Sequence, residues 1–157
     1  MSIVINGTNG EITPLATFTG TTSQVGISLV SGLEKVTVSA TAATGTINYD
    51  VTTQSNLYYT ANAAANWTIN FRASSGTSMN TMMAVGDSTT VVHMVTNGGS
   101  AYYNNAVQVD GSSVTPEYQG GTAFSAGNAN SIDVYVYVII KTADATFKVL
   151  ASQTQFT

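Results

Sequence analysis

Residues 131–141 read SIDVYVYVIIK, the longest run of strand-forming side chains in the chain. Val134, Val136, Val138 and Ile140 fall on one face of a period-two pattern; Asp133, Tyr135, Tyr137, Ile139 and Lys141 fall on the other. That spacing is the side-chain repeat of a β-strand. The first face is wholly apolar and is expected to line a core. The second is aromatic and aliphatic between two charged ends. It is expected to pack against another chain or an arm of the same chain, because a strand with two apolar sides does not leave one of them in water. Tyr135, Tyr137 and Ile139 are therefore the expected interface residues. A core position for Val136 predicts that Val136→Asp blocks soluble folding, since it would bury an unpaired charge.

Outward from this strand, residues 142–145 make a turn and 146–151 (TFKVLA) return beside it. Upstream, alternation marks strands at 34–39, 46–51, 57–60 and 89–96, and in 67–72 it sets Trp67, Ile69 and Phe71 against Thr68, Asn70 and Arg72. Residues 101–103 and 106–110 follow, with Asn104-Asn105 as a bulge or bend and Asp110-Gly111 as a tight turn. Residues 115–118 are expected at an edge because Pro116 cannot donate to a ladder. Met79, Met82 and Met83 fit a helical turn as well as an irregular strand, and residues 119–130 read as a Gly-, Ser- and Asn-rich loop. Short strands separated by polar turns predict an all-β fold, an antiparallel β-sandwich of jelly-roll-like type. No internal repeat stands out. Residues 33–157 form the expected sandwich domain, and residues 1–32 a short extended N-terminal arm or attachment segment. In that arm Ile3 and Ile5, within the apolar run Ile3-Val4-Ile5, are candidate interface residues that could add as a strand to a sheet edge.

Composition narrows the function. Of the 157 residues only 8% are charged, against about 25% in ordinary soluble proteins, so the surface must be polar through Thr, Ser, Asn, Gln and Gly. Eight acidic and four basic residues give a net charge of −4, which offers no basic footprint for nucleic acid or an anionic membrane. No apolar run reaches the ~20 residues of a membrane span. The start, MSIVINGTNG, lacks the features of a secretory signal, so synthesis in the cytoplasm is expected. There is no cysteine, which excludes disulfides, thiolate metal sites and cysteine nucleophiles.

Chemistry finds little to work with. His93 is the only histidine; it lies mid-strand among valines and is expected to be a hydrogen-bonded structural residue in or near the core. No GxSxG elbow accompanies it. The acids Glu11, Glu34, Asp50, Asp87, Asp110, Glu117, Asp133 and Asp144 are scattered singly, with neither the spacing of a calcium loop nor a pair that a glycosidase would need. The expectation is no catalytic residue, no metal and no cofactor. Trp67 is expected in the core. In Tyr58-Tyr59 and Tyr102-Tyr103, adjacent side chains point to opposite faces, so one of each pair should face outward, for a subunit interface or for a sugar.

The segments NYDVTTQSNLYYT (48–60), NWTINFR (66–72), AYYNNAVQVDGSSVTPEYQGGT (101–122) and SIDVYVYVIIKTADATFKVLASQTQF (131–156) resemble a domain of virion structural proteins of tailed bacteriophages, especially phages of marine bacteria and cyanobacteria. The resemblance covers about residues 33–157. It implies a setting, the virion, and no active site. The family's longer members carry Gly-rich shafts before the domain, which this chain lacks, so tail-fibre tip, baseplate or collar piece, and capsid decoration protein all stay open. The resulting expectation is a non-enzymatic particle component. It would self-assemble, as a trimer, and dock on other virion proteins through its N-terminal arm. The alternative is a receptor- or carbohydrate-binding tip that meets a host surface glycan through Tyr58, Tyr59, Tyr102 and Tyr103.

Overall fold

A computed structural model describes residues 33–157. Ten strands and one short helix follow in order: β1 (Val36–Ala42), β2 (Gly45–Asp50), β3 (Asn56–Ala61), β4 (Trp67–Arg72), α1 (Met79–Met82), β5 (Ser88–Thr96), β6 (Asn104–Val109), β7 (Ser112–Val114), β8 (Glu117–Tyr118), β9 (Ile132–Ala143) and β10 (Thr146–Phe156). They form a six-stranded sheet in the order β1-β3-β5-β9-β10-β8 and a four-stranded sheet in the order β2-β4-β6-β7. The two pack together as an all-β sandwich, as the alternating segments predicted. The expected arm, with Ile3 and Ile5, lies outside the described residues.

Strand pairing differs from the antiparallel, jelly-roll-like expectation. β1, β3 and β5 run parallel in one sheet, and β2, β4 and β6 run parallel in the other. From β1 to β6 the chain alternates between the sheets. Each parallel pair is therefore bridged by a strand of the opposite sheet, in the place where a helix bridges a βαβ unit. This half of the sandwich is coiled like a short solenoid. Only the later strands return antiparallel: β9 on β5, β10 on β9, and β7 on β6. Asp110 (φ 52°) and Gly111 (φ 78°) supply the two left-handed residues of the β6–β7 turn. The bulge at Asn104-Asn105 is present: Trp67 pairs with Asn104 and Thr68 with Ala106.

β9 lies between β5 and β10, and its side chains alternate without a break. Asp133, Tyr135, Tyr137, Ile139 and Lys141 are buried, and Ile132, Val134, Val136, Val138 and Ile140 are half-buried on the outside. This reverses the expected assignment of faces. Tyr135, Tyr137 and Ile139 are fully enclosed by their own chain and are not available as interface residues. The reason is span. Stacked sheets lie ~10 Å apart, and tyrosine rings reach across to the large residues of the facing sheet where valines would leave voids. Tyr137 packs on Phe71 with ring centroids 5.0 Å apart, Phe71 on Tyr49 at 5.6 Å, and Tyr135 on Trp67 at 5.6 Å. The phenol oxygens also find partners. Tyr137 donates to Asn104 Oδ1 (3.0 Å), and Asn104 Nδ2 in turn donates to the carbonyl oxygens of Trp67 and Ala106. Tyr135 Oη accepts from Gln153 Nε2 at 3.2 Å. Ala151 stands opposite Tyr137 in the register, a small residue beside a large one.

Both charged ends of this face are buried and bonded. Asp133 accepts from Asn97 Nδ2 (3.0 Å), Asn128 N (2.9 Å) and Asn128 Nδ2 (2.6 Å). Lys141 Nζ donates to the carbonyl oxygens of Asn80 (2.7 Å) and Met83 (2.9 Å) and so fixes α1 against the sheet. Asp133 also holds the loop before β9. A Cβ on Gly127 would come 2.0 Å from the Tyr102 carbonyl oxygen and 2.9 Å from Asp133 Oδ2, so the backbone passes there only as glycine.

The inverted faces change the expected outcome of charge substitutions. Tyr137→Asp should abolish soluble folding, because it removes a core ring and buries an unpaired carboxylate. Val136→Asp should leave the β-type circular dichroism of the soluble protein intact. Asp133→Ala should lower the unfolding free energy by about 2–4 kcal/mol by stranding the amides of Asn97 and Asn128, as read by urea denaturation.

Candidate functional site

The two outward faces of the sandwich differ in chemistry. On the four-stranded sheet, in-register rows are Thr46–Thr68–Ala106, Asn48–Asn70–Gln108 and Asp50–Arg72. These side chains bond to one another: Asn70 Nδ2 donates to Asn48 Oδ1 at 2.8 Å, and Arg72 pairs with Asp50. That face is polar and self-satisfied, as a face in water should be.

The outward face of the six-stranded sheet is mostly apolar. One row reads Val36, Asn56, Val92, Val136, Ser152; the next reads Val38, Tyr58, Met94, Val134, Thr154. Towards one end come Thr90, Val138, Leu150 and then Ser88, Ile140, Lys148; towards the other, Thr96, Ile132, Phe156. Val38 is 63% exposed, Phe156 56%, Val36 43% and Leu150 40%. Isolated apolar residues on a surface need no explanation, but in-register rows of them do. The one ion pair beside them, Lys148 with Glu117 at 3.2 Å, cancels its own charge. This face is the strongest candidate site in the described structure.

The tyrosines proposed for ligand binding do not converge. Tyr58 lies on the apolar outer face, its hydroxyl 3.3 Å from Thr96 Oγ1. Tyr59 points the other way and packs edge-on to His93, ring centroids 5.6 Å apart; burial raises its phenol pKa. Tyr102 packs against the core, and Tyr103 is half-buried with its backbone amide donating to Asn66 Oδ1. Four surface concavities, including the broadest, lined by residues such as Gln119, Phe124, Asn128 and Gln153, have none of these tyrosines in their walls.

His93 is buried, as expected, but not hydrogen-bonded. Neither ring nitrogen has a protein partner, and Trp67 Nε1 beside it has none either. Rings of Tyr59, Trp67 and Tyr135 surround it at 5.6, 5.8 and 6.2 Å. Burial pushes its pKa down to about 3 from 6.5, so the imidazole is neutral and apolar in role. The carboxylates of the described residues are engaged elsewhere. Asp110 accepts from the amides of Met79 and Asn80 at the start of α1, Asp87 from Ala84 N, Asp144 from Asn80 Nδ2, and Glu34 from Asn56 Nδ2. Among the described residues no three His, Cys, Asp or Glu side chains gather as a metal site, and no helix is long and apolar enough to cross a membrane.

No protein-family model, curated protein or solved structure matches the chain. The sequence does not reveal the apolar face, because hydropathy alone places its central valines in the core. The cue that could have found it is the neighbouring strand: residues 91–95 put His93 on the same face as Val91 and Val95 and leave Val92 and Met94 outside.

A histidine held neutral by burial links folding to pH. The unfolded chain takes up a proton below about pH 6.5 and the folded chain does not until about pH 3, so His93 contributes stability above pH 6.5 that is lost as the pH falls through that window. Between about pH 7 and about pH 5.5 the loss from this residue should be about 1 kcal/mol. In urea titrations at the two pH values, His93→Phe should lose about that much less than the parent chain; an equal loss in both would contradict the assignment.

Proposed function

We propose that the chain is a non-enzymatic structural component of a bacteriophage particle, a β-sandwich subunit that self-associates and attaches to other virion proteins through residues 1–32. The single observation that carries the self-association is the apolar outward face of the six-stranded sheet, set against the polar, self-bonded face of the other sheet. A sandwich that stays alone has no use for that asymmetry.

The non-enzymatic part of the reading draws on His93, which sits among aromatic rings with no polar partner, and on the carboxylates of the described residues, each bonded to backbone amides, to a side-chain amide or to a basic side chain. General acid–base chemistry needs a titratable group within reach of a substrate. The phage setting draws on the resemblance of residues 48–60, 66–72, 101–122 and 131–156 to tailed-phage virion domains, and on the scarcity of charge. The alternative, a glycan-binding tip, draws less support, because Tyr58, Tyr59, Tyr102 and Tyr103 face different directions and line no common hollow.

Antibody raised against the chain should label intact particles of the phage that encodes it, and the protein should sediment as an oligomer at micromolar concentration. A chain missing from purified particles contradicts the virion setting, and a stable monomer contradicts self-association.

A further inference from the structure

Resting on the self-association just proposed, we infer that the occupant of the apolar face is a second copy of this chain, seated face to face across a two-fold axis through the six-stranded sheet. The face runs along β9 from Ile132 to Ile140, about 27 Å, and across the strands from β1 to β10, about 20 Å, which makes about 550 Å², with Asn56, Ser88, Thr90, Thr96, Lys148, Ser152 and Thr154 as polar positions within it. Its apolar part lies within the ~300–600 Å² of the largest patch on a typical monomer, which is often functional, and the whole face, polar positions included, makes up most of the ~800 Å² per partner of a standard stable interface.

The chemistry favours a copy over a foreign partner. The central rows of the patch, Val36 to Ser152 and Val38 to Thr154, carry no charged side chain; Lys148 pairs with Glu117 at one margin and Glu34 bonds to Asn56 Nδ2 at another. That centre offers an acidic or basic partner no opposite charge to pair with, and it meets its own image without like-charge repulsion. Its middle is built of short β-branched residues, Val92, Val136 and Val138, at half burial, which gives a flat surface suited to stacking on another sheet ~10 Å away. The symmetry follows from the number of patches. A three-fold ring needs two different complementary surfaces per subunit, whereas a two-fold contact needs one surface that matches itself. The described residues offer one such apolar patch, since the other sheet turns a polar face outward. The assembly is accordingly even-numbered, in contrast to the trimer expected from sequence.

The test is the molar mass of the full chain by sedimentation equilibrium, with Val136→Lys in the centre of the patch and Asn48→Lys on the polar sheet as comparison. A parent dimer or even multimer is expected. Asn48→Lys should leave it unchanged, and Val136→Lys should weaken association about a hundredfold or more by setting two lysines against each other, with circular dichroism unaltered. Because the chain has no cysteine, Val136→Cys gives a second readout that does not depend on tolerance of a charge: it should cross-link to its own copy with a short bis-maleimide, and Asn48→Cys should not. A trimer, or an oligomer indifferent to Val136→Lys with no cross-link at Val136→Cys, overturns the face-to-face pairing while leaving self-association standing. A parent chain that is monomeric overturns both, and a monomer that binds a hydrophobic dye through Val136 assigns the face to a foreign partner.

Discussion

Tyr135 and Tyr137 fill the gap between the two sheets, and the rest of the molecule is arranged around that filling. Their rings meet Trp67 and Phe71 from the opposite sheet, and the Tyr137 hydroxyl ties β9 to the bulge at Asn104. Once the tyrosines face in, strict alternation along β9 forces Val134, Val136 and Val138 out. The register then carries the same division into β5 and β10. A face that buries rings on one side must show valines on the other.

The inner face is costly in polar groups, and the fold meets that cost locally. Asp133 is enclosed by amides of Asn97 and Asn128, and Lys141 by the carbonyl oxygens at the end of α1. These two clamps fix the loop before β9 and the helix after β4, so segments with little regular structure are held by buried charge–dipole bonds that are individually stronger than neutral ones. His93, with Trp67 Nε1 beside it, departs from this pattern, a polar ring kept without partners in an aromatic surround. It adds size and shape there at the expense of stability in acid.

Much of this was legible from residues alone. Trp67, Ile69 and Phe71 read as an inward face and are one; the Asp110-Gly111 turn and the Asn104-Asn105 bulge fall where their chemistry put them. Two things were not legible. Alternation reports that a segment is a strand but not the direction of its neighbours, so the parallel coiling of β1 to β6 left no trace. Nor did it leave a period, since Val36 pairs with Asn56 but Asn56 with Val92, unequal steps separated by different connections. The second was which face of β9 is the inner one. Hydropathy favours the valines, and only the distance between sheets, supplied by the facing aromatic residues, favours the tyrosines. The candidate site was hidden by that same inversion, because residues read as interface are core and residues read as core form the exposed apolar patch.

Under the proposed self-association, alternate side chains of β9 serve two different burials, one within the chain and one between chains. Oxidative side-chain footprinting of the full chain across a dilution series tests this most directly, since it reports each residue of the strand separately. The account predicts that Tyr135 and Tyr137 stay unlabelled at every concentration, while Val134, Val136 and Val138 are labelled when dilute and protected when concentrated. Labelling of the two tyrosines in the dilute protein, or valines equally reactive at all concentrations, would contradict it.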